Sequence, residues 1–164
     1  MTSVIPSLKI NEDRLWNNFN TLADIGATVD GGVSRLALSN EDLQARAGLA
    51  AKFEEAGVLV RDDDAGNLSG VLPSDYPDAR TLLVGSHLDS VPNGGRYDSS
   101  VGVLAALECL CTLSECQVEL PFHLEAINFT DEEGCWQSLF GSRALTGKLD
   151  PAYLQNAGGE SGPF

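Results

Sequence analysis

The first sixty residues repeat apolar side chains at helical spacing in two stretches. The first stretch follows Asn11, a favourable capping residue, and places three apolar side chains on one face of a predicted helix: Leu15, Phe19 and Leu22. The second begins after Ser39 and runs to about Ala56, where Gly57 is expected to end the helix. The chain is therefore predicted to open with two amphipathic helices.

A hairpin is predicted after these helices. Residues 58–61 and 68–72 are short apolar runs, and the segment between them is rich in the turn-forming residues Asp, Gly and Asn.

A strand, a helix and a second strand are predicted next. The apolar runs at 81–87 and 122–130 indicate strands, and the apolar stretch at 101–113 has the length of a helix that Ser99 or Ser100 would cap. This order predicts a parallel strand pair with a right-handed crossover, and hence an α/β fold.

Composition narrows the class of protein. The chain has 164 residues, enough for one domain, and its 24 acidic and 10 basic residues give a net charge of −14. This charge argues against binding to nucleic acid or to anionic membranes. There is neither a signal-peptide pattern nor an apolar run of about 18–20 residues, and the four cysteines form no CxxC pair. We expect a cytoplasmic protein whose cysteines are reduced, small core residues.

Five titratable side chains are predicted to meet at one edge of the sheet. His87 and Asp89 end the first strand of the parallel pair, Asp98 lies in the loop before the helix, and Glu132 and Glu133 follow the second strand. The carboxyl ends of neighbouring parallel strands open into the same crevice, so these residues are expected to converge there.

The residue types suit a metal-dependent hydrolase. A histidine can bind a cation through one ring nitrogen while a nearby carboxylate, here Asp89, accepts the N–H of the other. Asp98 could bridge two cations, and of Glu132 and Glu133 one could bind a cation while the other moves a proton. Taken singly, each residue also has an ordinary structural interpretation: a histidine bonded to a turn, a helix-capping Asp, or an exposed acidic turn.

Two motifs carry a resemblance to a known family. Gly85-Ser-His-Leu-Asp-Ser-Val, followed by Gly-Gly-Arg-Tyr-Asp98, and Asn128-Phe-Thr-Asp-Glu-Glu-Gly134 resemble the M20 metallopeptidase superfamily. Within it they are most similar to the amidase, or hydantoinase/carbamoylase, branch of N-carbamoyl-L-amino-acid hydrolases, allantoate amidohydrolases and β-ureidopropionases. Weaker similarities lie at residues 32–39 and 64–68.

The resemblance implies a fold, a cofactor and a reaction. The fold would be part of a three-layer αβα catalytic domain with a mixed, largely parallel sheet. The cofactor would be two divalent metal ions, usually zinc and in some members manganese, nickel or cobalt. His87 would bind one ion, Glu133 the other, and Asp98 both. Asp89 would orient His87, and Glu132 would be the general acid/base as metal-activated water hydrolyses the C–N bond of an N-carbamoyl amino acid or related ureido compound.

The sequence also departs from the family pattern. Ser99 and Ser100 follow Asp98 where this branch commonly has Gly. The family's later metal ligands, its inserted dimerisation domain and its C-terminal part have no counterpart in residues 1–164. We therefore expect the N-terminal part of a catalytic domain, inactive alone and prone to self-association through an unpaired sheet edge. The alternatives are an M20 aminoacylase or peptidase fragment, and a non-catalytic scaffold or interaction module.

Overall fold

The computed structural model describes residues 8–76 and 78–150, and the backbone of 158–159 and 162–163. The helices in these ranges are α1 (Glu12–Asp24), α2 (Asn40–Glu55), α3 (Ser100–Glu115) and α4 (Phe140–Leu145). The strands are β1 (Leu59–Asp62), β2 (Leu68–Leu72), β3 (Thr81–His87), β4 (His123–Phe129), β5 (Gly158–Gly159) and β6 (Gly162–Pro163). The last two form a separate short antiparallel pair.

The main sheet is mixed, with strand order β1-β2-β4-β3. β3 and β4 pair in parallel across α3, as the sequence predicts, and β1 and β2 form the predicted antiparallel hairpin. The mixed α/β fold is thus confirmed. The expected largely parallel character does not hold for the described strands, because β2 also pairs antiparallel with β4 and leaves β3–β4 as their one parallel pair.

Local signals set the ends of the first two helices. The Asn11 side chain accepts a hydrogen bond from Arg14 N at 3.0 Å, and Ser39 Oγ accepts one from Asp42 N at 3.2 Å. Gly57, just beyond α2, has a φ of +71°, a conformation that glycine adopts without steric cost. The capping predictions for these helices are confirmed.

The hydrophobic core lies between one face of the sheet and helices α1, α2 and α3. Phe53 of α2, Leu110 of α3 and Ala126 of β4 are fully buried there. Gly70 of β2 is required at this interface, because a Cβ atom at its position would lie 2.3 Å from the Phe53 ring. On the other face, Leu83, Ile127 and Leu145 of α4 line a cavity of about 420 Å³.

A buried ion pair joins α1 to α3. Glu108 is only 1% exposed, and its carboxylate accepts hydrogen bonds from Arg14 Nε at 2.7 Å, Arg14 Nη2 and Asn11 N at 2.8 Å, and Thr112 Oγ1 at 3.1 Å. Burial alone would raise the pKa of Glu108, but these bonds and the charge of Arg14 outweigh it and hold the pKa below its usual 4.5.

We expect Glu108→Gln to lower the free energy of unfolding by about 2–3 kcal/mol at pH 7, because the amide leaves the Arg14 guanidinium poorly paired. A carboxyl with a lowered pKa stabilises the fold above its unfolded pKa, so the wild-type advantage should shrink as the pH falls below 4.5. Denaturant unfolding at pH 7 and pH 3 measures both effects. Glu115→Gln, which alters the more exposed partner of Arg14, is the control and should cost under about 1 kcal/mol. Equal losses in the two variants would contradict this account.

The sheet ends at β3 among the described strands, and Leu82 on this edge strand is 48% exposed. An open edge is a template for pairing with another strand, so self-association through β3 stays a prediction.

Cysteine burial differs from expectation. All four cysteines are free, but only Cys111 is buried, while Cys109, Cys116 and Cys135 are exposed. The prediction that all four are core residues is wrong: Cys109 lies on an exposed position of α3, Cys116 lies at its C-cap, and Cys135 lies in the loop after β4. Within the described part of the chain, no helix has the length and apolar character needed to cross a membrane.

Candidate metal centre

His87 ends β3, where the strand enters the loop that leads to α3. Its Nδ1 atom lies 3.0 Å from the backbone oxygen of Asp89 and 3.5 Å from Asp89 Oδ1. Both neighbours are hydrogen-bond acceptors, so Nδ1 carries the hydrogen and the neutral ring presents its lone pair at Nε2. This tautomer suits cation binding through Nε2.

Asp89 connects the ends of β3 and β4. Its buried carboxylate accepts hydrogen bonds from the backbone N–H groups of Glu132, at 3.4 Å, and of Glu133, at 3.0 Å. Burial alone would raise the pKa of Asp89, but the hydrogen bond and charge of His87 together with these N–H groups hold it below the usual value. Burial would likewise lower the pKa of His87, but Asp89 and the charge of Glu133 outweigh it and raise that pKa. The structure therefore keeps Asp89 ionised against the ring.

The two glutamates point in different directions. Glu133 Oε1 lies 3.9 Å from His87 Nε2, on the side of the ring away from Asp89. The Glu132 carboxylate instead accepts hydrogen bonds from Ser142 N and Ser142 Oγ, both at 2.8 Å, at the start of α4. The structure thus brings His87, Asp89 and Glu133 together, but it holds the Glu132 carboxylate against α4.

Asp98 is exposed and is linked to His87 through its neighbour Ser99. Ser99 Oγ is hydrogen-bonded to His87 Nε2 and lies 3.4 Å from Asp98 Oδ1. Ser99 occupies the N-cap position of α3, but its side chain makes no capping bond, and the Ser100 hydroxyl is bound by Arg35. The predicted position of the cap is therefore confirmed, but Ser99 makes no capping bond because its hydroxyl is engaged by His87.

Arg35 supports the site but was not among the predicted site residues. It is 1% exposed and donates to the backbone oxygens of Leu88 at 2.7 Å, Ile25 at 3.0 Å and Leu22 at 3.1 Å, and to Ser100 Oγ at 3.3 Å. Burial lowers the pKa of Arg35, and this effect outweighs the negative charges of Asp42 and Asp89, which act to raise it. Arg35 therefore joins the end of α1 and the start of α3 to the backbone between His87 and Asp89.

Two other buried polar residues shape the loop after β4. Asn67 Oδ1 accepts from Thr130 N at 2.9 Å, and Asn67 Nδ2 donates to Gly141 O at 3.2 Å. Asp131 accepts from three successive backbone N–H groups, those of Cys135, Trp136 and Gln137. The sequence signal for Arg35 and Asn67 was their place in the segments 32–39 and 64–68, which carry the weaker similarities.

A cavity of about 640 Å³ lies beside the end of β4. It is bordered by Arg46, Thr130, Asp131 and Phe140, and by none of the predicted metal ligands. The cavity and the histidine cluster are therefore neighbouring but separate features.

Comparison with known proteins identifies the class. The model of peptidase family M28 matches residues 67–157, more than half of the chain, and this stretch includes all five predicted site residues. The chain belongs to this family, and membership implies the use of divalent metal ions.

The relatives confirm the predicted hydantoinase/carbamoylase branch. The N-carbamoyl-L-amino acid amidohydrolase of Geobacillus stearothermophilus is 43% identical over 148 residues, which is 89% of this chain and 36% of that protein. The allantoate amidohydrolase of Bacillus subtilis is 36% identical over 143 residues, 86% of this chain and 35% of that protein. A hydantoinase/carbamoylase-family amidase from Burkholderia vietnamiensis has a TM-score of 0.89 at 34% identity, over 96% of this chain and 38% of that one. The chain thus spans about a third of the length of these relatives.

The side chains at this site are of chemical types that bind divalent cations. An imidazole nitrogen and carboxylate oxygens are ligands that zinc and related metals accept, and His87 Nε2 faces Glu133 Oε1. In residues 8–76 and 78–150, however, no group of three or more His, Cys, Asp or Glu side chains is arranged to hold a metal ion. The donors are of the right chemistry, but a closed ligand set is not assembled.

Proposed function

We propose that this chain forms part of the catalytic domain of a metal-dependent amidohydrolase that acts on N-carbamoyl amino acids or related ureido compounds. The observation that carries the proposal is the meeting of His87, Asp89 and Glu133 at the ends of the parallel strands β3 and β4. The 43% identity to an N-carbamoyl-L-amino acid amidohydrolase supports the substrate class.

Two divalent ions are proposed, with zinc first and manganese, nickel or cobalt as alternatives. His87 would hold one ion, Glu133 the other, and Asp98 would contribute to both. When bound, the metal supplies the positive charge that activates water and polarises the substrate carbonyl. Asp89 has the contacts needed to orient His87, since it takes the Nδ1 side of the ring and leaves Nε2 for the cation.

Glu132 is proposed as the group that moves the proton. It would take a proton from the attacking water and return it to the leaving nitrogen. Its carboxylate would have to turn away from Ser142 to do so, because both oxygens now accept hydrogen bonds at the start of α4. The Glu132 backbone N–H bonds to Asp89, so the backbone of Glu132 already lies beside the cluster, and a change in the side chain is the movement that we propose.

An aminoacylase or peptidase would use the same cluster on a different substrate. The named relatives favour a ureido substrate, and they also make a non-catalytic scaffold the weaker alternative.

The chain alone is proposed to be inactive, since the described residues offer too few metal ligands. A reduced, cytoplasmic location is proposed from the free cysteines.

A chimera tests this function. This chain would replace the region that it matches in the Geobacillus enzyme, and release of ammonia from an N-carbamoyl-L-amino acid would be measured. Hydrolysis that is lost in the His87→Ala chimera is the expected result. A chimera that folds and holds metal but hydrolyses only N-acyl amino acids or peptides would favour the aminoacylase or peptidase alternative. One that hydrolyses none of these substrates would contradict the catalytic role of this chain.

A further inference from the structure

We propose that the Ser99 hydroxyl competes with the metal ion for His87 Nε2 and so lowers the metal affinity of this site. The inference rests on the proposed function, because it assumes that His87 is a metal ligand. It assigns to Ser99 a role as a positioning residue that sets how readily the site takes up its metal.

The competition follows from the single lone pair at Nε2. Nδ1 faces the oxygens of Asp89 and carries the ring hydrogen, so Nε2 is the one nitrogen of neutral His87 that can bind a cation. Ser99 Oγ is hydrogen-bonded to that atom. A lone pair that accepts a hydrogen bond cannot bind a cation at the same time, so metal uptake must break the bond from Ser99.

The position of the hydroxyl reinforces the effect. Ser99 Oγ is within 3.4 Å of Asp98 Oδ1 as well, and therefore lies between two of the proposed ligands. A cation shared by His87 and Asp98 would have to displace the hydroxyl from both. The Ser99 side chain is free for this role because it makes no capping bond to α3.

The backbone at residue 99 suits glycine better than serine. Ser99 has a φ of +55° and a ψ of −37°, a conformation that costs a residue with a Cβ atom more than it costs glycine. A glycine here would keep the loop path and place no group against Nε2. Serine at this position therefore adds backbone strain. It also gives His87 a hydrogen-bonding partner that a metal ion would have to displace.

Two substitutions distinguish the effect of the Ser99 hydroxyl from the effect of the backbone strain. Ser99→Ala removes the hydroxyl and keeps the Cβ atom, whereas Ser99→Gly removes both. Ser114→Ala is the matched control, since Ser114 lies near the far end of α3 and its hydroxyl bonds to the backbone oxygen of Ala56. All are compared with the unaltered chain after metal removal with a chelator, and circular dichroism confirms that each is folded.

The measured quantity is the dissociation constant for zinc, from competition with a chromophoric chelator at constant pH. We expect Ser99→Ala and Ser99→Gly to bind zinc about 3- to 10-fold more tightly than the unaltered chain, the range that corresponds to one hydrogen bond. Ser114→Ala should not change the affinity. Only Ser99→Gly should also raise the thermal unfolding midpoint of the metal-free protein, because only glycine relieves the strain.

Equal or weaker zinc binding by both Ser99 variants would overturn the inference, and weaker binding would mean that the hydroxyl is itself a ligand. If the unaltered chain binds zinc through His87 but the Ser99 variants bind no better, the inference fails and the proposed function stands. If no variant binds zinc, and His87→Ala behaves like the rest, the inference and the metal site proposed for this chain fail together.

Discussion

Replacing Glu132 by Gln in the chimera is expected to lower kcat for an N-carbamoyl-L-amino acid by about 10²–10⁴-fold, the usual contribution of a general acid/base. Glutamine keeps the size of the side chain and its polar contact to Ser142, but it cannot accept and return a proton. The folded structure should therefore change little, and KM should change far less than kcat.

The control for this prediction is Glu119→Gln, which alters an exposed glutamate before the start of β4, at the opposite end of that strand from the site, and should leave kcat unchanged. Metal content must be measured in parallel, because Glu133 lies next to Glu132 in the chain. A Glu132→Gln chimera with full metal content and nearly full kcat would show that another group moves the proton.

Removal of the Arg35 side chain should cause the largest loss of stability, about 3–5 kcal/mol for Arg35→Ala. The substitution removes the Arg35 donor from the backbone oxygens of Leu88 and Ile25 and from the Ser100 hydroxyl, and it opens a cavity. The Leu22 oxygen loses one of its two donors and keeps the Ile25 N–H. Arg35→Met, which fills more of the volume, should recover only part of the loss because methionine restores none of the Arg35 hydrogen bonds. Denaturant unfolding at pH 7 measures the difference.

Arg80→Ala provides the comparison for Arg35, since Arg80 is exposed and its replacement should cost under about 0.5 kcal/mol. Arg35→Ala should also weaken metal binding, because Arg35 holds the backbone oxygen of Leu88 between His87 and Asp89. An Arg35→Ala protein as stable as Arg80→Ala would show that these hydrogen bonds contribute little.

Much of the fold could be predicted because its signals are local. Asn11 and Ser39 cap their helices through residues three positions along the chain, and Gly57 adopts the φ that ends α2. The run 81–87 is β3 as predicted, and the parallel pair follows from the strand–helix–strand order. The antiparallel pairing of β2 with β4 escaped prediction because it joins segments with no sequence signal for each other.

The site was predictable as a set of residues but not as a set of contacts. The convergence of His87, Asp89 and Glu133 follows from their places at the ends of parallel strands. The direction of Glu132 depends on α4, and the role of Arg35 depends on partners up to 65 positions away. No local pattern encodes such contacts, since the packing of distant segments determines them.

The measurement that tests the central claim most directly is the metal content of the chimera after dialysis, by elemental analysis, beside the His87→Ala chimera as the matched variant. The chimera would be loaded with zinc or manganese and dialysed against metal-free buffer. We predict that the unaltered chimera retains metal and that the His87→Ala chimera holds less of it while keeping the same circular dichroism spectrum. Equal metal content in the two folded chimeras would contradict the assignment of His87, and with it the proposed metal centre.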